Sequence, residues 1–331
     1  MSSKSANSIE SAVHALANDR LVAMPTETVY GLAARIDRPL AIEKVFKTKG
    51  RPSFDPLIVH VASLEQAKSL VSSWPTSADV LAQKFWPGPL TLVVPKNSSV
   101  SDLISSGLET VGIRVPNHPL AIELLTKCAT PLAAPSANRF GRTSPTAIDH
   151  VRTEFPEAIA SGEVFILDGG ACEVGVESTV VRCEDDQVTV LRPGGVTKSE
   201  LETALRAANI STPVLFASEN KKVASPGHTE HHYMPTKPLS VFWGSKAEID
   251  AHKKQLSPQF QTISLNSDAR LAARELYAAL RSADQTEGKS SLILYRETQS
   301  HDELWQAIDD RLKRAASHRL GSPPSDQPHV I

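Results

Sequence analysis

Residues 20–33 read RLVAMPTETVYGLA and place a short apolar run directly before a polar turn. The apolar start is typical of a buried strand, which Pro25 ends. Thr26 and Thr28 follow with free hydroxyls, and we expect Gly31 to lie at the start of a helix. Open α/β sheets bind ligands where strand ends face helix N-termini. The stretch therefore predicts an α/β fold with a ligand site, although threonine capping without a ligand would give the same pattern.

Outward from this stretch, apolar runs with strand character alternate with segments of helical spacing. The predicted strands are 56–62, 90–95, 111–116, 131–135, 164–170, 178–183 and 188–193. The predicted helices are 8–18, 39–50, 63–74, 118–128, one from about 145, and 197–210. Thr197 and Glu200 have the spacing of a capping box, which marks the start of the last of these helices.

From 212 to 238 the apolar period stops, and the composition predicts a linker. Beyond it, strands at 239–244, 260–265 and 290–296 alternate with helices at 268–283 and 302–317, which predicts a small parallel sheet of doubly wound type. We therefore expect four regions. They are a first domain at 6–211, a linker or lid at 212–238, a second α/β domain at 239–320, and a mobile tail at 321–331.

Composition excludes several classes of protein. The chain has 331 residues, 40% hydrophobic and 22% charged, and a formal net charge of −2. That content allows real cores and argues against wholesale disorder. No apolar run reaches the roughly 18–20 residues of a membrane span, and the start of the chain lacks a signal-peptide pattern. Three cysteines without a C-x-x-C pair indicate reduced thiols, so we expect a cytoplasmic protein without membrane contact.

Basic residues cluster at the end of the predicted helix 39–50. Lys47, Lys49 and Arg51 lie beside glycine and proline, where they would suit a polyphosphate. A solvated basic helix end is the alternative. His60 lies inside an apolar strand, where a satisfied core histidine is the alternative to a ligand-binding one.

The loop after strand 131–135 is the strongest anion candidate. It carries Ser136, Asn138, Arg139, Arg142 and Ser144. We expect Ser144 to cap a helix whose first residue is Pro145, so that backbone N–H groups and guanidinium groups converge on one ligand. Capping alone would leave the arginines and the asparagine unexplained.

Arg114 and Arg192 each lie near the end of an apolar strand, where they should pair with a protein carboxylate or an anionic ligand. Pairing of Glu177 with an arginine is an open alternative. No nucleophile–base pattern appears, and the histidine-rich run 228–232 has no nearby cysteine to complete a structural zinc site. Strand ends rich in Arg, Lys, Ser and Thr favour phosphoryl or nucleotidyl transfer.

At these residues the chain resembles the YrdC-like threonylcarbamoyl-AMP synthases in their two-domain form. The phrases that carry the resemblance occur in the family's order between about 24 and 236. They are PTETVYGL, KGRP, DPLIVH, WPGPLTLVV, VGIRVPNHP, APSAN, LDGG, GVESTVV, LRPG and HYMP. The resemblance implies a YrdC-like twisted mixed sheet with helices and a smaller C-terminal Rossmann-like parallel α/β domain. It implies synthesis of threonylcarbamoyl-AMP from L-threonine, bicarbonate and ATP with release of pyrophosphate.

The resemblance also assigns site residues. Those implied for L-threonine are Thr28, His60, Arg114, Ala134 and Ser178. Those implied for ATP are Lys49, Arg51, Asp55, Thr110, Ser136, Asn138, Ser144, Arg192 and Tyr233, with Lys49 and Arg51 acting electrostatically. No side-chain nucleophile or protein metal ligand is implied, because Mg²⁺ would arrive with ATP. The family usually has asparagine where this chain has Asp55, whose charge near a triphosphate needs Mg²⁺, Lys49 or Arg51 to offset it.

The expected partner is a downstream tRNA threonylcarbamoyl transferase complex that modifies adenosine 37. Two alternatives stay open. One is weak RNA binding by a nucleic-acid module, opposed by the net charge of −2 and tested by salt dependence. The other is a carbamoyltransferase of the hydrogenase-maturation kind, opposed by the lack of C-x-x-C pairs for its zinc fingers.

Overall fold

The structure, a computed structural model, describes residues 8–217, 232–298 and 302–321. Within these ranges the strands form one sheet of ten strands and one of four. None of the helices in the described ranges combines the length and apolar character that crossing a lipid bilayer requires.

The larger sheet and its helices occupy the first two thirds of the chain. The strands are β1 (Leu21–Met24), β2 (Gly31–Arg35), β3 (Ile58–His60), β4 (Leu90–Pro95), β5 (Thr110–Arg114), β6 (Leu132–Ala133), β7 (Val164–Ile166), β8 (Thr179–Cys183), β9 (Val188–Arg192) and β10 (Val214–Phe216). The helices are α1 (Ile9–Ala17), α2 (Pro39–Lys49), α3 (Leu64–Lys68), α4 (Thr76–Phe85), α5 (Asp102–Ser105), α6 (Pro119–Cys128), α7 (Ile148–Glu154), α8 (Pro156–Ala160) and α9 (Lys198–Ala207).

The larger sheet is twisted and mixed, with strand order β10-β9-β8-β4-β5-β3-β6-β2-β1-β7. Parallel pairs such as β3 with β5 alternate with antiparallel pairs such as β4 with β5. Apolar side chains cover both faces, in one large cluster and a smaller one that includes Leu16 and Leu125. This arrangement confirms the expected mixed sheet with helices.

The smaller unit follows the predicted parallel pattern. Its elements are β11 (Leu239–Gly244), α10 (Lys246–Lys253), β12 (Phe260–Ile263), α11 (Ala269–Asp284), β13 (Ser291–Glu297), α12 (Leu304–Ala315) and β14 (His318–Leu320). The strand order is β12-β13-β11-β14, and all three pairs are parallel. Helix α11 buries an apolar stripe that includes Ala272, Leu276 and Leu280, which packs it on the sheet.

The two units share apolar packing. Val29 and Val176 of the first unit lie in the same buried cluster as Leu276, Ile308 and Leu312 of the second. The positions at which the domains were expected to begin and end stay predictions.

Several local expectations were wrong. Gly31 begins strand β2, which pairs antiparallel with β1, because the polar turn between them reverses the chain instead of starting a helix. Helix α7 starts at Ile148 after Ala147, so Ser144 is no cap; its hydroxyl donates to Glu177 at 2.6 Å instead.

Other elements are shorter or additional. The helix expected at 63–74 ends at Lys68, and α4 was not predicted. Within the expected linker, Val214–Phe216 forms β10, which pairs with β9 at the edge of the larger sheet. Residues 218–231 of that linker, with most of the histidine-rich run, lie outside the described residues, as does most of the expected mobile tail.

Candidate active site

A cleft of about 560 Å³, counted with the solvent at its mouth, lies at the strand ends of the larger sheet. The residues assigned from the sequence that line it are Thr28, Arg51, His60, Arg114, Ala134, Ser136, Ser178, Arg192 and Tyr233. The cleft therefore brings together residues as far apart in the sequence as Thr28 and Tyr233.

Five other assigned residues are not among those that line the cleft. They are Lys49, Asp55, Thr110, Asn138 and Ser144. Each except Thr110 bonds to a residue at the cleft wall or to the loop that carries one, as described below. Thr110 is the first residue of β5 and Arg114 is the last. The two are roughly 13 Å apart along the strand, so Thr110 lies away from the cleft.

Three protein groups hold the Arg114 guanidinium. Its Nη2 lies 2.7 Å from Glu27 Oε1, and both side chains are 4% exposed. Nη1 donates to Thr28 Oγ1 at 2.9 Å, and Nε donates to the Gly88 carbonyl at 3.1 Å. Because a guanidinium has five N–H groups, these contacts fix its orientation and leave donors for a ligand carboxylate.

His60 lies beside Arg114, because the two are register partners of β3 and β5. Burial and the neighbouring Arg114 lower the pKa of His60 to about 3, so its imidazole is neutral at physiological pH. Its Nδ1 has no hydrogen-bond partner among the residues that the structure describes. A neutral ring with an unused nitrogen at the cleft wall suits a polar ligand group better than a satisfied core position.

Ser178 and Arg192 form a second polar group. Arg192 Nη2 donates to the Ser178 carbonyl at 3.0 Å and to its hydroxyl at 3.3 Å. The same hydroxyl lies 2.8 Å from Thr91 Oγ1. These bonds hold the Ser178 hydroxyl, just before β8, beside the Arg192 guanidinium at the end of β9.

Arg51 joins this group from the loop after α2. Its Nη2 lies 2.9 Å from Asp55 Oδ1, and its Nε donates to the Asp55 carbonyl at 3.2 Å. Burial lowers the pKa of Arg51, Asp55 opposes that shift, and nearby Arg192 adds to it. Asp55 therefore pairs with Arg51 beside the cleft, and this ion pair offsets the negative charge that Asp55 has where the family usually has asparagine.

Lys49 and Asn138 organise the loop beneath Ser136. The Lys49 ammonium donates to the carbonyls of Ser136 and Asn138. Burial, reinforced by Arg51, holds the pKa of Lys49 well below its usual range. Asn138 Nδ2 donates to the carbonyls of Arg139 and Arg142 at 2.9 and 2.7 Å. These contacts hold the loop against the end of α2.

His232 and Tyr233 close the cleft. Their rings are 4.2 Å apart, and both residues are at most 5% exposed. The Tyr233 carbonyl accepts a 3.1 Å bond from Thr143, and the next residue, Met234, donates its N–H to the Gly141 carbonyl at 2.8 Å. The Tyr233 hydroxyl is buried and makes no hydrogen bond within the described ranges. His232 was not assigned to the site, although its place beside Tyr233 in the phrase HYMP is a usable signal.

Glu177 is the carboxylate that sequence reasoning left unassigned. It lines the cleft and accepts bonds from Ser144, Tyr277 and Arg311. Pairing with an arginine, one of the open alternatives, is therefore correct. Thr26 also lines the cleft, with its hydroxyl 2.9 Å from that of Thr28.

A second cleft lies at the carboxyl ends of β12 and β13, where Lys253, Tyr295 and Trp305 contribute to its lining. Its helix N-termini are already satisfied. Ser245 and Glu248 form a capping box on α10, and Asp268 accepts two N–H groups of α11. An anion would compete with these side chains, so the first cleft is the better candidate for a nucleotide.

Comparison with known proteins identifies relatives across the chain. The Sua5–YciO–YrdC family, described as "Telomere recombination", matches residues 14–194. The family described as "Threonylcarbamoyl-AMP synthase, C-terminal domain" matches residues 196–317.

Individual relatives agree with these matches. A threonylcarbamoyl-AMP synthase of Bacillus subtilis is 43% identical over 73% of this chain and 68% of that protein. One of Pyrococcus abyssi is 35% identical over 91% of this chain and 92% of that protein. The crystal structure of P. abyssi Sua5 complexed with L-threonine superposes with a TM-score of 0.83 at 34% identity, covering 94% of this chain and 95% of that one.

Proposed function

The chain belongs to the Sua5/YrdC family of threonylcarbamoyl-AMP synthases, and we propose how its cleft is divided between two substrates. It is an enzyme of the transferase class that makes threonylcarbamoyl-AMP for tRNA modification, with L-threonine and ATP as substrates. The proposal concerns which residues hold each substrate, how the bond forms, and what receives the product.

We place L-threonine beside the Arg114 group. Arg114 would bind the amino-acid carboxylate with its remaining N–H groups, since charge-assisted bonds of this kind are strong and directional. Thr28 and Ser178 would contact the polar groups of threonine, and neutral His60 would accept a hydrogen bond without adding charge. Ala134 lies at the wall between them, where a small side chain leaves room for the substrate. The threonine complex of the P. abyssi relative supports an amino-acid site in this fold.

We place the ATP phosphates between Arg51, Ser136 and Arg192. The supporting observation is that two guanidinium groups, each oriented by bonds within the protein, line one cleft with a serine hydroxyl. Tyr233 would lie over the nucleotide. Lys49 and Asn138 support this side by shaping the loop that carries Ser136. Asp55, Thr110 and Ser144 stay proposed ATP contacts. Because they do not line the cleft, ATP could touch them only if the protein around them moved.

The chemistry needs no protein nucleophile. The threonine amine would add to carbon dioxide with loss of a proton, or to bicarbonate with loss of water, and either addition gives a carbamate. A carbamate oxygen would then attack the α-phosphorus of ATP, forming the C–O–P bond as the bond to pyrophosphate breaks. The cleft would hold two anions in line and stabilise the charge that develops, which is the work of fixed guanidinium and N–H dipoles.

Mg²⁺ would enter with ATP. The carboxylates nearest the cleft are bound by arginines: Glu27 by Arg114, Asp55 by Arg51 and Glu177 by Arg311. This donor set fits a metal held mainly by phosphate oxygens and water, which Mg²⁺ accepts readily. The ion would neutralise phosphate charge during transfer.

The product would pass to a downstream tRNA threonylcarbamoyl transferase complex, because a mixed carbamic–phosphoric anhydride reacts readily with water. Direct RNA binding would be weak, and a steep loss of binding with salt would identify it as phosphate contact.

The test measures pyrophosphate release with ATP and bicarbonate, with and without L-threonine, and the adenylate product by mass. We expect release to depend on threonine and on bicarbonate. Equal release with glycine, or full release without bicarbonate, would reject the proposed reaction. Tyr295→Phe, in the second cleft, is the matched control for a change remote from the proposed site.

A further inference from the structure

We infer that Tyr277 and Arg311, both in the smaller unit, are positioning residues that hold Glu177 and through it the proposed ATP side of the cleft. The inference goes beyond the family's reaction, and its expected effect on ATP use rests on the proposed placement of ATP. It gives the smaller unit a part in the active site.

The contacts join helices α11 and α12 to one carboxylate. Tyr277 donates its hydroxyl to Glu177, 2.9 Å from Oε2 and 3.1 Å from Oε1. Arg311 Nε donates to Oε2 at 2.9 Å. Ser144 donates to Oε1 at 2.6 Å. All four residues are buried, with exposed fractions from 0 to 6%.

A buried carboxylate needs such partners. Burial alone would raise the pKa of Glu177, but Arg311 and then Arg192 outweigh it and lower the pKa to about 2. Glu177 is therefore ionised at the cleft wall, and its orientation depends on the donors that surround it. Two of those donors come from the second sheet's helices.

The same contacts continue into the cleft. Glu177 orients Ser144 directly, and it precedes Ser178, which bonds to Arg192. Arg311 Nη1 donates to the carbonyl of Pro193, the residue after Arg192. Arg311 thus contacts the segment that carries Arg192, a proposed phosphate-binding group, and also Glu177, which holds Ser144, a proposed ATP contact. A shift in α12 would move the two together.

Backbone packing fixes the distance between the units here. Gly175 has a φ of +79°, and a Cβ at this position would lie 2.3 Å from the Arg274 Cα in α11. No side chain fits between the loop before Glu177 and this helix. The loop therefore rests directly on α11, one turn before Tyr277.

The experiment compares steady-state kinetics and thermal unfolding of Tyr277→Phe, Glu177→Gln and their double variant in the full chain. Tyr277→Phe removes a single hydroxyl and keeps the ring, so it perturbs packing least. We expect the KM for ATP to rise by about tenfold in Tyr277→Phe, with the KM for threonine within about twofold of the original. The double variant should match Glu177→Gln alone, because Tyr277 acts through that carboxylate.

Arg311→Lys keeps the positive charge but loses the planar guanidinium that bonds to both Glu177 and Pro193. It should therefore raise the KM for ATP, as Tyr277→Phe does. The matched control is Glu303→Gln. Glu303, the residue just before α12, also bridges the two units, because it accepts the Ser199 N–H at 3.1 Å, but it touches no cleft residue named above. A merely structural role would change the unfolding temperature of all these variants and leave KM ratios alone.

Two results would overturn the inference. One is an unchanged KM for ATP in folded Tyr277→Phe. The other is an equal rise in Glu303→Gln. An original enzyme that releases no pyrophosphate would instead overturn the proposed reaction, so the two failures are distinguishable. If Arg311→Lys does not fold, Tyr277→Phe decides the question alone.

Discussion

Arg114 Nη2 lies 2.7 Å from Glu27 Oε1 in a pair whose two side chains are 4% exposed. The guanidinium assigned to the substrate carboxylate is thus already oriented by a protein carboxylate. Glu27 follows Thr26 and precedes Thr28, so the first polar turn of the chain supplies both the orienting anion and the neighbouring hydroxyls. Preorganisation of this kind lowers the entropy lost when a ligand binds.

Arg114→Ala should weaken threonine use more than ATP use, by about 2–4 kcal/mol, because a charge-assisted contact with the carboxylate is lost. The measurement is the KM for each substrate. The change also leaves Glu27 buried without its cation, so the double variant Glu27→Gln with Arg114→Ala controls for stability. An unchanged KM for threonine in a folded variant would reject the assignment.

Asp55→Asn should lower thermal stability while leaving ATP use unchanged or improved. The amide still accepts a bond from Arg51, but the 2.9 Å ion pair is lost, at a cost of about 1–3 kcal/mol. Arg51 then presents more of its charge to the cleft. Thermal unfolding and an ATP titration measure the two effects. A large rise in the KM for ATP would show instead that ATP use needs the Asp55 charge itself, to hold Mg²⁺ or to orient Arg51.

The free energy of unfolding should fall as the pH drops below 6.5. Burial and Arg114 lower the pKa of His60 from 6.5 to about 3 in the folded protein, and burial similarly lowers that of His232 to about 3. The unfolded chain therefore binds protons that the folded one does not, and stability present above pH 6.5 is lost towards pH 3. Each such histidine contributes a slope of about 1.4 kcal/mol per pH unit in this window.

His60→Gln should reduce that slope by the share of one histidine, as measured by urea unfolding between pH 4.5 and 6.5. His14→Gln, at an exposed position of α1, controls for the loss of an imidazole. A slope equal to that of the original protein would contradict the neutral, buried state of His60.

Tyr233→Ala should lower kcat by about tenfold or more with the fold intact, because the ring closes the cleft over reacting groups that must exclude water. The rate of pyrophosphate release and the unfolding temperature separate activity from stability. Tyr295→Phe again serves as the control. A fully active Tyr233→Ala enzyme would show that the segment 212–238 only connects the two units and does not act as a lid. We also expect ATP and threonine together to slow limited proteolysis near Lys221 and Lys222, two residues that lie outside the described ranges.

Local patterns predicted part of the candidate site. Arg114 and Arg192 stand at the ends of apolar strands, and the sheet brings those ends to one cleft. The resemblance added Ser178, His60 and Tyr233; the local settings of the last two favoured a core residue and a linker.

What could not be predicted depends on distant contacts. Tyr277 and Arg311 lie 100 and 134 residues from Glu177, on helices whose sequence shows only amphipathic spacing. Gly31 was misread because a strand followed by a polar turn fits both a helix start and an antiparallel return. Strand β10 has only three residues and sits among proline and serine, so its pairing with β9 left no periodic signal.

Val29 and Val176 lie in the same apolar cluster as Leu276, Ile308 and Leu312. Heat should therefore melt both sheets in one cooperative transition, visible in calorimetry as a single peak with matching van't Hoff and calorimetric enthalpies. A chain truncated after β10 would uncover those valines to water. Such a fragment should self-associate on warming, at a temperature where the whole protein stays monodisperse.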